Sequence, residues 1–251
     1  MSMLLLATAS TQAQFTAEPY YAPTATATQE LRGPVKELEL LEVYYVDGEA
    51  EPEDTLYLHF DQTGRLLERT SLWHEEYPYE RNTYSGNLLT EVLCWNWEDT
   101  IRFSYHYSTE GCLETVHWDY YDDGEKIEGQ EAHIQCDELC RIIMKERDLD
   151  STFYTYDSAG HLATMSGNYY SDTYEYDKHG NLTREVIING EYTCITTYIR
   201  NEHGDVTEYR RTASDGTNEY YRYEYTYDNH GNWLTRIEGT SITTRKITYY
   251  E

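Results

Sequence analysis

The sequence predicts an all-β chain, an array of antiparallel β-hairpins (YD-type repeats) forming one long curved or spiral sheet. Three observations predict it. Tyrosine supplies 28 of 251 residues, and Tyr favours strands because its ring can be buried while its hydroxyl still reaches a partner. Aromatic residues fall at every second position, as in Tyr221, Tyr223, Tyr225 and Tyr227, which sets their rings on one face of an extended chain. A turn signal then follows in Asp228-Asn229-His230-Gly231: Asp and Asn tolerate turn geometry, and Gly accepts positive φ without steric cost.

Taken in order, residues 1–14 hold a short Leu/Ala run followed by small residues, the pattern of a secretory signal peptide cleaved near Ala13 or Gln14. It looks truncated, since no basic residue precedes the run. Residues 15–30 read as a flexible leader rich in Thr, Ala and Pro. Residues 31–251 show no break in composition and read as a single β-hairpin repeat domain. Within it, Val35 to Val46 has strand character and reaches an Asp47-Gly48 turn, and Glu49 to Asp54 reads as an acidic loop.

The repeat pattern is aromatic, any, aromatic, Asp, two residues, Gly, any, Leu. It begins at Leu58–Leu66, with Phe60, Asp61 and Gly64, and is shortened at Tyr84–Leu88. Tyr105, Tyr107 and Gly111 carry the next copy. In Ile134–Ile142, Cys136 takes an aromatic position and Cys140 the Gly position. Clean copies follow at Tyr154, Tyr156, Asp157 and Gly160, and at Tyr174, Tyr176, Asp177 and Gly180. Tyr198–Val206 keeps Gly204, and Tyr225, Tyr227, Asp228 and Gly231 close the series. Turn positions recur at intervals from 20 residues (Gly160 to Gly180) to 29 (Gly111 to Cys140). Each unit is too small to bury its own rings and must cover its neighbours.

The units at residues 154–162 and 174–182 resemble the YD repeats of RHS-repeat proteins, and the array as a whole covers about residues 55–240. With Gly33-Pro34-Val35-Lys36 and the leader, the chain resembles short secreted RHS-like proteins of Gram-negative bacteria. The resemblance implies hairpins winding into a curved or spiral sheet, a location outside the cytoplasm (secreted, periplasmic or cell-surface), and a link to carbohydrate binding in some members. The toxin-enclosing role of the large members is not carried over, because this chain is too short to form a shell around cargo.

Composition narrows the function. Lys plus Arg number 19 against 46 Asp plus Glu, a formal charge of −27, and a field of that sign repels phosphate backbones and anionic lipid surfaces. No segment is long and apolar enough for a membrane-spanning helix. Five cysteines allow one or two bridges outside the cytoplasm. Cys136 and Cys140 flank a turn and are the first candidates for a bridge, while most of the five are expected to serve as small buried hydrophobes. Trp73, Trp95, Trp97 and Trp118 lie outside the repeat positions and are the candidate ligand-stacking residues, Trp95 and Trp97 on one strand face.

His161, His179, His203 and His230 stand beside turn glycines, where a turn role is expected rather than metal ligation. No nucleophile elbow, phosphate loop, dinucleotide fingerprint or zinc-ligand spacing occurs. So many acids leave a glycosidase-like carboxylate pair open, but nothing singles one out. The expectation is a secreted, non-enzymatic binding or structural surface module without metal or cofactor, its partner a glycan or another surface protein. A carbohydrate-binding module using exposed Tyr/Trp and a hydrolase are the alternatives.

Overall fold

A computed structural model describes residues 31–46, 49–71, 80–96, 99–122, 124–148 and 150–251. The expected signal peptide and leader, the Asp47-Gly48 turn, Trp73 and Trp97 lie outside the described residues. The described chain forms strands β1 (Val35–Val46), β2 (Glu49–Phe60), β3 (Leu66–Ser71), β4 (Glu80–Ser85), β5 (Leu88–Asn96), β6 (Asp99–Tyr107), β7 (Leu113–Asp122), β8 (Glu125–Cys136), β9 (Ile142–Arg147) and β10 (Asp150–Tyr156). It continues with β11 (Leu162–Ser166), β12 (Tyr170–Tyr176), β13 (Leu182–Asn189), β14 (Tyr192–Arg200), β15 (Val206–Ala213), β16 (Asn218–Arg222), β17 (Glu224–Tyr227), β18 (Trp233–Glu238) and β19 (Ser241–Tyr249).

All belong to one antiparallel sheet in sequence order, and β1 pairs with both β2 and β19. The sheet therefore curls round into a nearly closed barrel. At β16 and β17 one strand runs into the other through Tyr223 alone, whose amide donates to the Thr207 carbonyl at 2.9 Å.

The turn chemistry expected from sequence is what bends the chain. In the β10–β11 hairpin the Asp157 amide donates to the His161 carbonyl at 2.8 Å, and the Gly160 amide donates back to Asp157 at 3.1 Å. One Asp157 carboxylate oxygen accepts the amides of Ala159 and His161 at 2.8 and 2.9 Å. Asp61, Asp137, Asp177, Asn201 and Asp228 do the same. Gly160 and Gly180 have φ of +91° and +84°, a region costly to residues with a Cβ. Gly64, Gly111, Gly204 and Gly231 occupy the same place.

A register shift falls just before the last strand residue of each such hairpin, for instance at Thr155/Tyr156 and Glu175/Tyr176. Repeated bulges bend and twist a sheet in one sense, so a regular series of them closes the curve.

The first aromatic of three units lines the core: Tyr105, Tyr154 and Tyr174 are buried among Leu89, Val116, Leu113, Leu162 and Leu182. A second cluster gathers Val35, Leu38, Leu58, Phe60 and Leu66. The second aromatic reaches sideways instead. Tyr84 donates its hydroxyl to the Leu66 carbonyl, Tyr107 to Leu89, Tyr156 to Ile142 and Tyr176 to Leu162, at 2.8–3.0 Å. Each bond ties a hairpin to the one before it. The opposite face carries cross-strand ion pairs: Glu68–Arg81, Glu91–Arg102, Glu175–Arg184 and Glu39–Lys246.

Two expectations are corrected. Residues 49–54 are not a loop but the first half of β2, with Pro52 at a register shift opposite Glu42/Val43; a bulge accommodates a residue that cannot donate to the ladder. The disulfide joins Cys112 to Cys140, not Cys136 to Cys140. Cys136 ends β8 facing the core, its thiol directed at the Leu113 carbonyl at 3.4 Å. Cys112 and Cys140 belong to adjacent turns, in the same side-by-side relation that brings His161 against Gly180 and Arg141 against Gly160.

Candidate binding site on the inner wall

The face that carries the core residues near the turns changes character toward the opposite end of the barrel. On β9, Lys145 lies opposite Thr152 and Arg147 opposite Asp150, and Lys145 also faces Ile134 of β8. All point to the core side. Beside them the β11–β12 turn delivers Tyr170, held by a 3.0 Å bond from the Gly167 amide to the Tyr170 carbonyl. The ring lies so close over Gly167 that an added Cβ would stand 2.4 Å from it.

These residues bound a cavity of about 330 Å³, with Asn168 and Tyr169 on its rim. The Thr152 and Tyr170 hydroxyls share a hydrogen bond of 2.7 Å, and the Asn168 amide donates to Asp150 at 3.2 Å. The Arg147 guanidinium lies 6.0 Å from the Trp118 ring centroid, within cation–π range. Burial, with the Arg147 charge nearby, pulls the Lys145 ammonium down to about 8. Tyr169 is 82% exposed. The cavity thus sets two cations against one carboxylate in a chain of charge −27.

Further along the same wall stand two acids. Burial pushes Asp172 up to about 6 against an opposing hydrogen bond from Tyr174. Glu185 is raised by burial and by the Asp172 charge, and the Tyr198 hydroxyl donates to it at 3.4 Å. One Asp172 oxygen is buried with no hydrogen-bond partner. The structure therefore singles out a carboxylate pair where the sequence could not.

The two candidate tryptophans among the described residues, Trp118 and Trp95, lie on opposite faces of the sheet. Trp118 is 3% exposed in the core. Trp95 is half-buried on the charged face, with the Arg81 guanidinium 5.6 Å from its ring. The turn-tip histidines act as turn parts: His161 stacks on Tyr176 at 4.7 Å, His203 on Tyr227 at 4.0 Å and His230 on Tyr249 at 4.1 Å. A second cavity, of about 420 Å³ and lined by Asp177, His179, Asn181, Arg200 and His203, lies between two turns whose groups already bond one another. Among the described residues no His/Cys/Asp/Glu group is arranged to hold a metal ion. Sequence reading missed Lys145 and Arg147. Their alternate spacing in a short strand was the available signal, but which face that parity meets depends on the bulge at Ile143.

What the residues define is a single-sheet, nearly closed antiparallel barrel with a polar cavity in its wall. No family model matches the chain, and no curated protein matches it. Among solved structures it is similar to a porin-like protein from Bacteroides uniformis, at 14% identity and a TM-score of 0.41, over 86% of this chain and 99% of that one. It is also similar to a porin-like protein from Bacteroides vulgatus, at 10% identity and 0.39, over 84% and 97% of the two chains. A third likeness is to the TcdB2-TccC3-Cdc42 structure, at 15% identity and 0.39, over 79% of this chain and 11% of that one. At these identities and scores the likenesses carry no argument about function.

Proposed function

We propose that this chain is a non-enzymatic binding module of the YD-repeat type that works outside the cytoplasm and takes its ligand at the Lys145/Arg147 cavity. The cavity carries the reading: about 330 Å³ of polar and aromatic wall in which Lys145, Arg147, Asp150, Thr152 and Tyr170 converge, at the lower end of ligand-pocket sizes. Two further observations support the location. The Cys112–Cys140 bridge suits an oxidising compartment, and residues 1–14 read as a signal sequence. The ion pairs on the outward face are the reverse of the apolar band that a lipid-facing barrel needs.

Thermal-shift screening against glycan and peptide panels tests the reading. The expected result is a ligand that stabilises the native chain but not Arg147→Met. Release of sugar or peptide products from the same panels would overturn the non-enzymatic part. A second reading, a hydrolase, draws on the raised Asp172/Glu185 pair. It requires product release that Asp172→Asn abolishes.

A further inference from the structure

We infer that the open edge of β16 is a docking strip for an extended basic and aromatic segment of another protein, which joins the sheet as one more strand. This surface is separate from the Lys145/Arg147 cavity and does not depend on it. Residues 218–227 run as one line of chain that changes partner at Tyr223: β16 pairs with β15, and β17 pairs with β18. β18 ends at Glu238 and turns back into β19, so it stops short of Asn218–Arg222. Among the described residues no strand pairs with that side of β16.

The ladder fixes which groups are left over. The Ala213 amide donates to the Thr217 carbonyl, and the Tyr223 amide to the Thr207 carbonyl, both at 2.9 Å. Bonding alternates along an antiparallel pair, so Glu219 and Tyr221 bond toward β15 as well. The N–H and C=O groups of Asn218, Tyr220 and Arg222 therefore point to the open side. Where β17 parts from β15, hydroxyls fill the step: Tyr225 donates to the Val206 carbonyl at 2.7 Å and Tyr227 to Asp205 at 2.8 Å. Beside β10 the β11–β12 turn fills a similar step through Asn168 and Tyr170. Among the described residues neither device covers β16. Two common guards of an edge are missing too, since its five residues hold no Pro and its ladder carries no register shift. Tyr220 and Tyr221, on opposite faces, are 51% and 37% exposed. Such an edge is a template for an incoming strand, which gains main-chain bonds and aromatic cover together.

The facing strand and the charge identify the occupant. An antiparallel newcomer meets β16 residue for residue as β15 does on the other side, so β15 shows which side chains suit it. Glu208 lies opposite Arg222, and the Tyr209 ring centroid is 5.6 Å from that of Tyr221. The Arg210 guanidinium is 5.0 Å from the Tyr220 ring centroid, and Arg211 pairs with Glu219 at 3.5 Å. A segment in that order is basic, and a chain of charge −27 draws it in. A second copy does not fit. Two β16 strands paired antiparallel would set each β15–β16 turn opposite Tyr223 and Glu224, where β18 already lies.

Fluorescence anisotropy with a labelled, end-blocked peptide of the sequence of residues 208–213, Glu-Tyr-Arg-Arg-Thr-Ala, tests the inference. The expected result is saturable binding that weakens at least tenfold when the amides of its third and fifth residues, which face the edge, are N-methylated. Methylating the second and fourth, which face away, should cost far less. Tyr220→Pro removes an edge N–H that β15 does not use, so it should keep the native circular dichroism and lose at least tenfold in peptide affinity. Should that variant not fold, the methylated peptides decide alone. Replacing both peptide arginines by glutamate should also cost at least tenfold. No saturable binding at millimolar peptide, equal loss from both methylation patterns, or equal binding of the acidic peptide would each overturn the inference. So would dimerisation of the native chain, read by sedimentation, that Tyr220→Pro abolishes, because a second copy would then be the occupant.

Discussion

At position 201 an asparagine already performs the turn aspartate's task, its side-chain oxygen accepting the amides of His203 and Asp205 at 2.9 and 3.1 Å. The acceptor, not the charge, is therefore what the turn geometry requires. Asp177→Asn should unfold within about 0.5 kcal/mol of the native chain in urea, whereas Asp177→Ala, which strands two amides, should lose about 1–2 kcal/mol. The charge adds a pH dependence. Burial acts to raise Asp61, but bonds from Thr63 and Arg65 outweigh it and hold the carboxylate down at about 2. A depressed folded value gives stability that is present above the unfolded value near 3.8 and is lost as pH falls through 2. Asp172 runs the other way. Raised to about 6, it binds its proton more tightly folded than unfolded, so its contribution is present below 3.8 and is lost as pH rises through 6. Asp172→Asn should therefore raise stability at pH 7–8, by about 2 kcal/mol, and leave it nearly unchanged at pH 3. Urea midpoints for the native chain and Asp172→Asn between pH 2.5 and 8 check this; a uniform shift across that range would contradict the assignment of Asp172.

Between hairpins, the second tyrosine of each unit does what its sequence position does not announce. Tyr107→Phe and Tyr176→Phe keep the ring but remove the hydroxyls that reach Leu89 and Leu162. Each should lose about 1 kcal/mol in urea unfolding, with no change in circular dichroism. The Cys112–Cys140 bridge ties neighbouring turns covalently across 28 residues; Cys112→Ser with Cys140→Ser should lose about 3–4 kcal/mol on the loop-entropy model, while Cys136→Ser should leave the bridge intact. This is also the scale at which the sequence stopped being readable. Local chemistry was plain: Asp157 and Gly160 make a turn wherever they occur together, and Tyr154 faces the core because alternation fixes its side. What one hairpin presents to the next depends on register between units, and a repeat pattern does not encode that. Hence the cysteine partner of Cys140 was misread, and Trp95 and Trp118 could not be assigned to opposite faces. The acidic run before Thr55 reads as a loop because its charge outweighs its pattern, although β1 is there to pair with it. Lys145 and Arg147 were passed over for the same reason as the tyrosine hydroxyls: their neighbours in space come from β8, β12 and β7.

For the whole molecule, closure is the step that local rules leave undecided, since bulged hairpins can as readily continue into an open spiral. The ladder from Val35↔Tyr249 to Tyr44↔Ser241 brings β19 against β1, and one buried residue secures the join. Asn232, 1% exposed, accepts the Arg32 amide at 2.6 Å and donates to the Arg32 carbonyl at 2.8 Å across 200 residues of sequence, and donates again to the Tyr249 hydroxyl at 2.7 Å. That hydroxyl in turn bonds Asp228, and the Arg32 guanidinium reaches the carbonyls of Gly231 and His203. The last turn thus holds the segment that leads into the first strand. Asn232→Ala leaves the Arg32 amide and carbonyl and the Tyr249 hydroxyl without this partner, a loss of about 1–3 kcal/mol. The loss should be local before it is global. Native-state hydrogen exchange should show β1 and β19 amides opening at lower free energy than those of β10 to β13, while the Lys145/Arg147 cavity, far along the sheet from the join, keeps its ligand affinity at temperatures where the chain remains folded. Equal acceleration of exchange in every strand would mean that the barrel opens only as a whole, and that Asn232 supports overall stability rather than the seam.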